Sequence, residues 1–159
     1  MPGKKLIVFF AAVAMLFAAV PAPAAEVTPQ EYKEQVEPIC QAGRTKEEAL
    51  KKVHKEVKEG KLKLASREVA TGAKALKQTY LKLLPVPKPA ADTARLTKWL
   101  KGIKTEVEML EATGRKLAKG EKNAALRMVV RLKSNAEKAN NLVLDYQFRY
   151  CHVDPSKFI

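Results

Sequence analysis

Residues 121–151 read EKNAALRMVVRLKSNAEKANNLVLDYQFRYC. Ala125, Val129, Leu132, Ala136, Ala139, Val143, Tyr146 and Tyr150 recur there at steps of three and four, the spacing that lines up one face of an α-helix. The alternation by twos that marks a strand is absent. The stretch therefore predicts an amphipathic helix over about 121–150, and such a helix needs other helices on which to bury its stripe.

Three more stripes precede it. Leu96, Leu100, Ile103, Val107, Leu110, Gly114 and Leu117 form the next one upstream. Leu62, Ala65, Val69, Ala73, Leu76, Tyr80 and Leu83 form the second, with one irregular step. The first is the weakest: Tyr32, Val36, Ile39 and Gly43, then Lys46, Leu50, Val53 and Val57. Pro85, Pro87 and Pro89 in LPVPKPAAD (84–92) make a stiff connector that no helix can cross. Gly60 and Gly120 stand between stripes where tight helix–helix turns belong. The helices expected are about 28–59, 61–84, 91–119 and 121–150. Four such helices with short turns predict an all-α fold, an antiparallel up-down-up-down four-helix bundle. Pro38 and Gly43 weaken the first helix, and Thr45 with Glu48 has capping-box spacing, so a kink or break is expected near 38–45. Asp92 is the expected N-cap of the third helix, with Trp99 anchoring its first turns. Leu50, Gly60, Ala65 and Val69 recur as Leu110, Gly120, Ala125 and Val129 at an offset of 60, which fits either a duplicated hairpin or two coincident glycine turns.

The N-terminal MPGKKLIVFFAAVAMLFAAVPAPAA has the form of a secretory signal peptide. Lys4 and Lys5 supply the positive start, Leu6–Val20 an uncharged apolar run of 15 residues, and Ala22-Pro23-Ala24 a small-residue cleavage site. Cleavage after Ala24 or Ala25 leaves residues 25–159 as one helical domain, secreted or otherwise extracytoplasmic. That location favours oxidation of cysteines, and the chain has two, Cys40 and Cys151. An up-down-up-down bundle brings the end of the last helix near the start of the first, so a Cys40–Cys151 disulfide is expected. One tension attends it. Cys40 lies 20 residues before Gly60 and Cys151 lies 31 after Gly120. If both turns sit at one end, the mismatch is about 16 Å of helix rise.

FRYCH (148–152) offers the rival reading. Covalent haem attachment needs Cys-x-x-Cys-His, and Phe148 stands where the first cysteine would be. A haem- or metal-binding bundle of cytochrome type is the alternative function, with His54, Met109 or Met128 as further axial candidates. Other chemistry finds little material. The two histidines are far apart, there are three aspartates, and no Glu-x-x-His pair exists. Ser66, Ser134 and Ser156 lie in no elbow-like glycine context. Glu106, Glu108 and Glu111 read as an acidic patch on a solvated face. No catalytic residue, metal ligand or cofactor is assigned, and the expectation is a protein that is not an enzyme.

The formal net charge is +13, or +11 without Lys4 and Lys5. Such a charge suits anionic partners, of which cell-wall polymer and membrane surface fit an exported chain best. The candidate surface comprises Lys51, Lys52, Lys55, Lys58, Lys61, Lys63 and Arg67 around the Gly60 turn, and Arg127, Arg131 and Lys138 on the last helix. Glu47, Glu48, Glu56 and Glu59 interleave with the first group as i,i+4 partners. No nucleic-acid module is present. Asn135, Asn140 and Asn141 flank the last stripe, placed either to bond across helices or to face solvent.

VPKPAADTARLTKWLKGIKTEVEMLE (86–111) and KANNLVLDYQFRYC (138–151), with the early EPIC (37–40), resemble a group of secreted helical proteins of actinobacteria. They share an early cysteine, a proline connector before a KWL-type helix and a terminal aromatic-x-x-Cys. The resemblance implies a helical, exported protein whose paired cysteines belong to the pattern, and it supplies no activity.

Overall fold

The computed structural model describes residues 26–44 and 50–152. Five helices follow in order: α1 Pro29–Arg44, α2 Leu50–Lys58, α3 Leu62–Leu83, α4 Thr93–Ala118 and α5 Lys122–Asn141. Short 3-10 turns stand at Ala90–Asp92 and Leu144–Tyr146, and no strand occurs among the described residues. The fold class read from the stripes, all-α, is the one observed. The expected signal peptide lies outside the described residues. No helix among them is long and apolar enough to cross a membrane.

α1 begins with a capping box. Thr28 Oγ1 accepts from Glu31 N at 3.2 Å, and Glu31 Oε2 accepts from Thr28 N at 2.8 Å. The helix then runs through Pro38 to Arg44. Pro38 is exposed, so the Glu34 carbonyl that it leaves without a helical donor faces water, where the loss is tolerable. Gly43 lets α1 approach α3 closely, since a Cβ built there would overlap Thr79 Oγ1. The interval between α1 and α2, with the Thr45–Glu48 capping pair, lies outside the described residues.

The two glycine turns are built alike. Gly60 and Gly120 have φ of 74° and 76°, in the left-handed region that glycine adopts freely. Lys61 N donates to Glu56 O at 2.8 Å, and Glu121 N to Lys116 O at 2.9 Å. Leu62 N donates to Gly60 O, and Lys122 N to Gly120 O, both at 2.9 Å. Each is a six-to-one closure over a left-handed glycine, as in a Schellman cap. Gly60, Lys61, Leu117 and Gly120 line one shallow hollow, so the two turns lie side by side.

α4 packs most broadly, against α3 on one side and α5 on the other, while α1 and α2 both rest on α3. Its whole stripe from Leu96 to Leu117 is buried. The apolar interior falls into two clusters. Tyr32, Val36, Leu83, Leu96, Trp99 and Phe148 belong to one, and Val57, Val69, Leu110, Leu117 and Leu132 to the other, the side of the glycine turns.

The last helix departs from expectation. It ends at Asn141, not near 150. Asn140 and Asn141 are poor helix formers, and Gln147 takes a left-handed conformation at φ 48° that continues no helix. The apolar positions beyond it stay inside nonetheless: Val143, Tyr146 and Phe148 are buried, carried by a 3-10 turn and bends.

Candidate functional site

Residues 146–152 form a strap along α1. Tyr146 meets Tyr32 edge-on at 5.8 Å, and the Glu37 carboxylate accepts from the amides of Arg149 and Tyr150. Cys151 Sγ is 2.08 Å from Cys40 Sγ, at disulfide distance. Arg44 donates to Tyr150 O at 3.2 Å and His152 O at 2.7 Å. The contacts advance along both segments together, so the strap runs in the same direction as α1. This resolves the length mismatch. α5 stops 21 residues after Gly120, close to the 20 that separate Cys40 from Gly60, and the remaining ten turn back beside α1.

Phe148 is held by rings on two sides, Trp99 at 5.4 Å and Tyr146 at 5.1 Å, both stacked. The position that a haem motif would give to cysteine is thus an aromatic core position. His152 is exposed, and its Nδ1 lies 3.0 Å from Phe148 O. A carbonyl only accepts, so Nδ1 carries the proton.

Asp92 stands at the N-terminus of α4 but makes no side-chain cap. Its carboxylate instead accepts from Tyr146 Oη at 2.6 Å and Arg95 at 2.8 Å. Arg95 also holds both oxygens of Asp145, at 2.7 and 2.8 Å, and stacks 5.4 Å from the Tyr146 ring. The bond to Arg95 draws the Asp145 carboxyl below its ordinary range. Burial, then Asp92, pushes the Tyr146 phenol up. Tyr32 is fully buried, its hydroxyl has no partner among the described residues, and burial pushes it up to about 12.

Glu106 corrects the reading of a solvated acidic patch. It is 1 % exposed, inside α4, where Asn135 Nδ2 of α5 donates to its Oε1 at 3.2 Å. The same amide donates to Gly102 O at 3.0 Å. Asn135 therefore bonds across helices, whereas Asn141 faces out. Glu108 is exposed beside Lys104, and Glu111 pairs with Lys77 of α3.

His54 lines an apolar cavity of about 50 Å³ with Val53, Val57, Leu110, Leu126 and Leu132. Met109 packs on the adjoining cluster, and Met128 is half-buried. Ser66 Oγ donates to Gly114 O, a helix-to-helix bond. Among the described residues no three His, Cys, Asp or Glu groups converge on one point.

The candidate cations divide into two sets. Lys52, Lys55, Lys58, Lys61, Lys63 and Arg67 are exposed around the Gly60 turn. Lys51 lies on α2, and its side chain is outside the described set. Glu59 offsets one unit of this charge, at 2.7 Å from Lys61 and 3.8 Å from Lys55. Its bond to Lys61 lowers the Glu59 carboxyl and raises the Lys61 ammonium. Arg127, Arg131 and Lys138 are exposed on α5, and none forms an ion pair among the described residues. The nine described cations thus stand in two places, six around the Gly60 turn and three on α5. Sequence reasoning missed the clamp formed by Glu37 and Arg44, because neither residue stands near Cys151 in the chain.

No protein-family model, curated protein or solved structure matches this chain.

Proposed function

We propose that this is an exported, non-catalytic protein of the cell envelope or extracellular space that binds an anionic partner through its basic surface. Residues 25–159 form one domain after loss of 1–24. In this reading the domain is an antiparallel up-down-up-down bundle, with α1 and α2 together as its broken first helix and Cys40–Cys151 oxidised.

One observation carries the reading of the surface. Every described lysine and arginine lies outside the buried set, while the chain holds 30 of them against 17 acids. A dense field of solvated cations draws polyanions and anionic membranes. Export is supported by the cysteine pair, whose sulfurs stand at disulfide distance, since such bonds persist in oxidising compartments.

The test is binding of the mature protein to anionic vesicles and to a soluble polyanion across a salt series. The reading expects binding at low salt that weakens steeply as screening rises. Absence of binding to both at low salt would overturn it. A visible spectrum of protein exported by its native host separates this reading from a cytochrome-type bundle: no Soret band is expected.

A further inference from the structure

We propose that the outward face of α5 is a docking surface for an anionic lipid bilayer; this rests on the reading above and narrows its partner. Leu126 is 46 % exposed and Val130 64 % exposed. At about 100° per residue they stand about 40° apart, Val130 on the face that α5 turns away from α4 and Leu126 at its edge, where it also lines the cavity beside His54. Arg127, Arg131 and Lys138 follow on one flank, and Lys122 and Lys133 on the other. The helix carries those five cations against one acid, the exposed Glu137, which lies two turns beyond Val130 on the same stripe. None of the five forms an ion pair among the described residues.

An apolar centre edged by long cations is what a helix lying in a membrane interface presents. The apolar side chains enter the acyl boundary, and the cations reach back to the headgroups. The arrangement fits other occupants less well. A second copy in a two-fold contact would set these cations against their own counterparts. A hydrophilic polyanion would satisfy the charges but leave Leu126 and Val130 unused. The other exposed apolar side chains are Leu64, Leu81, Leu84 and Leu144; beside Leu81 and Leu84 the α3 cation Lys77 is paired with Glu111.

The experiment uses the mature, oxidised protein with vesicles of mixed phosphatidylglycerol and phosphatidylcholine, and with polyglutamate as a soluble polyanion. Three variants are compared: Leu126→Ser with Val130→Ser; Arg127→Gln, Arg131→Gln and Lys138→Gln; and Lys55→Gln, Lys63→Gln and Arg67→Gln. All sites are exposed, and circular dichroism checks that each variant is folded. The apolar pair should weaken vesicle binding by about tenfold or more and leave polyglutamate binding unchanged. Neutralising the three α5 cations should weaken vesicle binding by about a hundredfold. The Gly60-turn variant should change it by less than either. Unchanged vesicle binding in the apolar variant would overturn the α5 assignment while the anionic-partner reading stands. Concentration-dependent dimerisation abolished by the apolar variant, in the absence of vesicles, would also overturn it, making the face a self-contact. Failure of the unmodified protein to bind vesicles or polyglutamate at low salt would remove both readings.

Discussion

The Cα atoms of Cys40 and Cys151 are 5.1 Å apart, although 111 residues separate them in the chain. The pair joins α1 to the strap that Glu37 and Arg44 also hold. A cross-link over so long a loop restricts the unfolded chain more than the folded one. Replacing both cysteines by serine should lower unfolding stability by about 2–5 kcal/mol, measured by urea denaturation. Amide exchange at Arg149 and Tyr150 should accelerate in the same variant, since their acceptor on Glu37 would then hold an untethered segment.

Tyr32 makes the stability of the fold sensitive to alkali. Its phenol titrates near 10 when exposed and is pushed up to about 12 by burial. The unfolded chain therefore loses this proton first as pH rises. Stability is fully present below about pH 10 and falls between there and about pH 12. Tyr146, also raised, adds to the fall in the same direction. Tyr32→Phe removes a buried hydroxyl that has no partner among the described residues. It should leave stability at neutral pH unchanged or higher by about 1 kcal/mol, and should flatten the alkaline decline. Thermal melts from pH 8 to 12 on both proteins measure this.

Asn135 ties α5 to α4 through Gly102 O and Glu106. Asn135→Ala takes a donor from the part-buried Gly102 O and from the buried Glu106 carboxylate at once. The loss should be about 1–3 kcal/mol of stability. Serine at nearby exposed 134 replaced by alanine should change stability by less than about 0.5 kcal/mol. Urea midpoints for the two variants provide the comparison.

Two glycines mark close helix approaches. A Cβ at Gly102 would lie 2.9 Å from Ala139 Cβ, and one at Gly43 would overlap Thr79 Oγ1. Gly102→Val and Gly43→Val should each cost about 1–3 kcal/mol through forced separation of the packed helices. Thr79→Ala should recover part of the Gly43→Val loss and none of the Gly102→Val loss, a pattern that a double-mutant cycle reads directly.

Much of this fold was legible in the apolar spacing. The α4 stripe is buried without exception, and both glycine turns stand where the stripes are interrupted. The cysteine pairing was legible as well, because a chain with two cysteines offers one pairing. The end of α5 was not: Val143, Tyr146 and Tyr150 keep helical spacing, yet they reach the interior from a 3-10 turn and bends. Periodicity reports which side chains are buried, and burial can be met by more than one backbone path. Glu106 was misplaced for a related reason. Its charge suggested solvent, but Asn135 supplies a partner from 29 residues away, and no local pattern announces so distant a donor. The α5 surface was half legible. Arg127, Arg131 and Lys138 were read from the sequence, whereas the exposure of Leu126 and Val130 needed the packing of α5 on α4.

The central claim is that this chain is exported, trimmed and locked by its two sulfurs. Intact mass of the protein recovered outside the cytoplasm of its native host, without reductant, tests it most directly. The account predicts a chain starting at Ala25 or Glu26 and lighter by two hydrogens than its reduced form. A chain still starting at Met1, or one with Cys40 and Cys151 both alkylated without prior reduction, would contradict it.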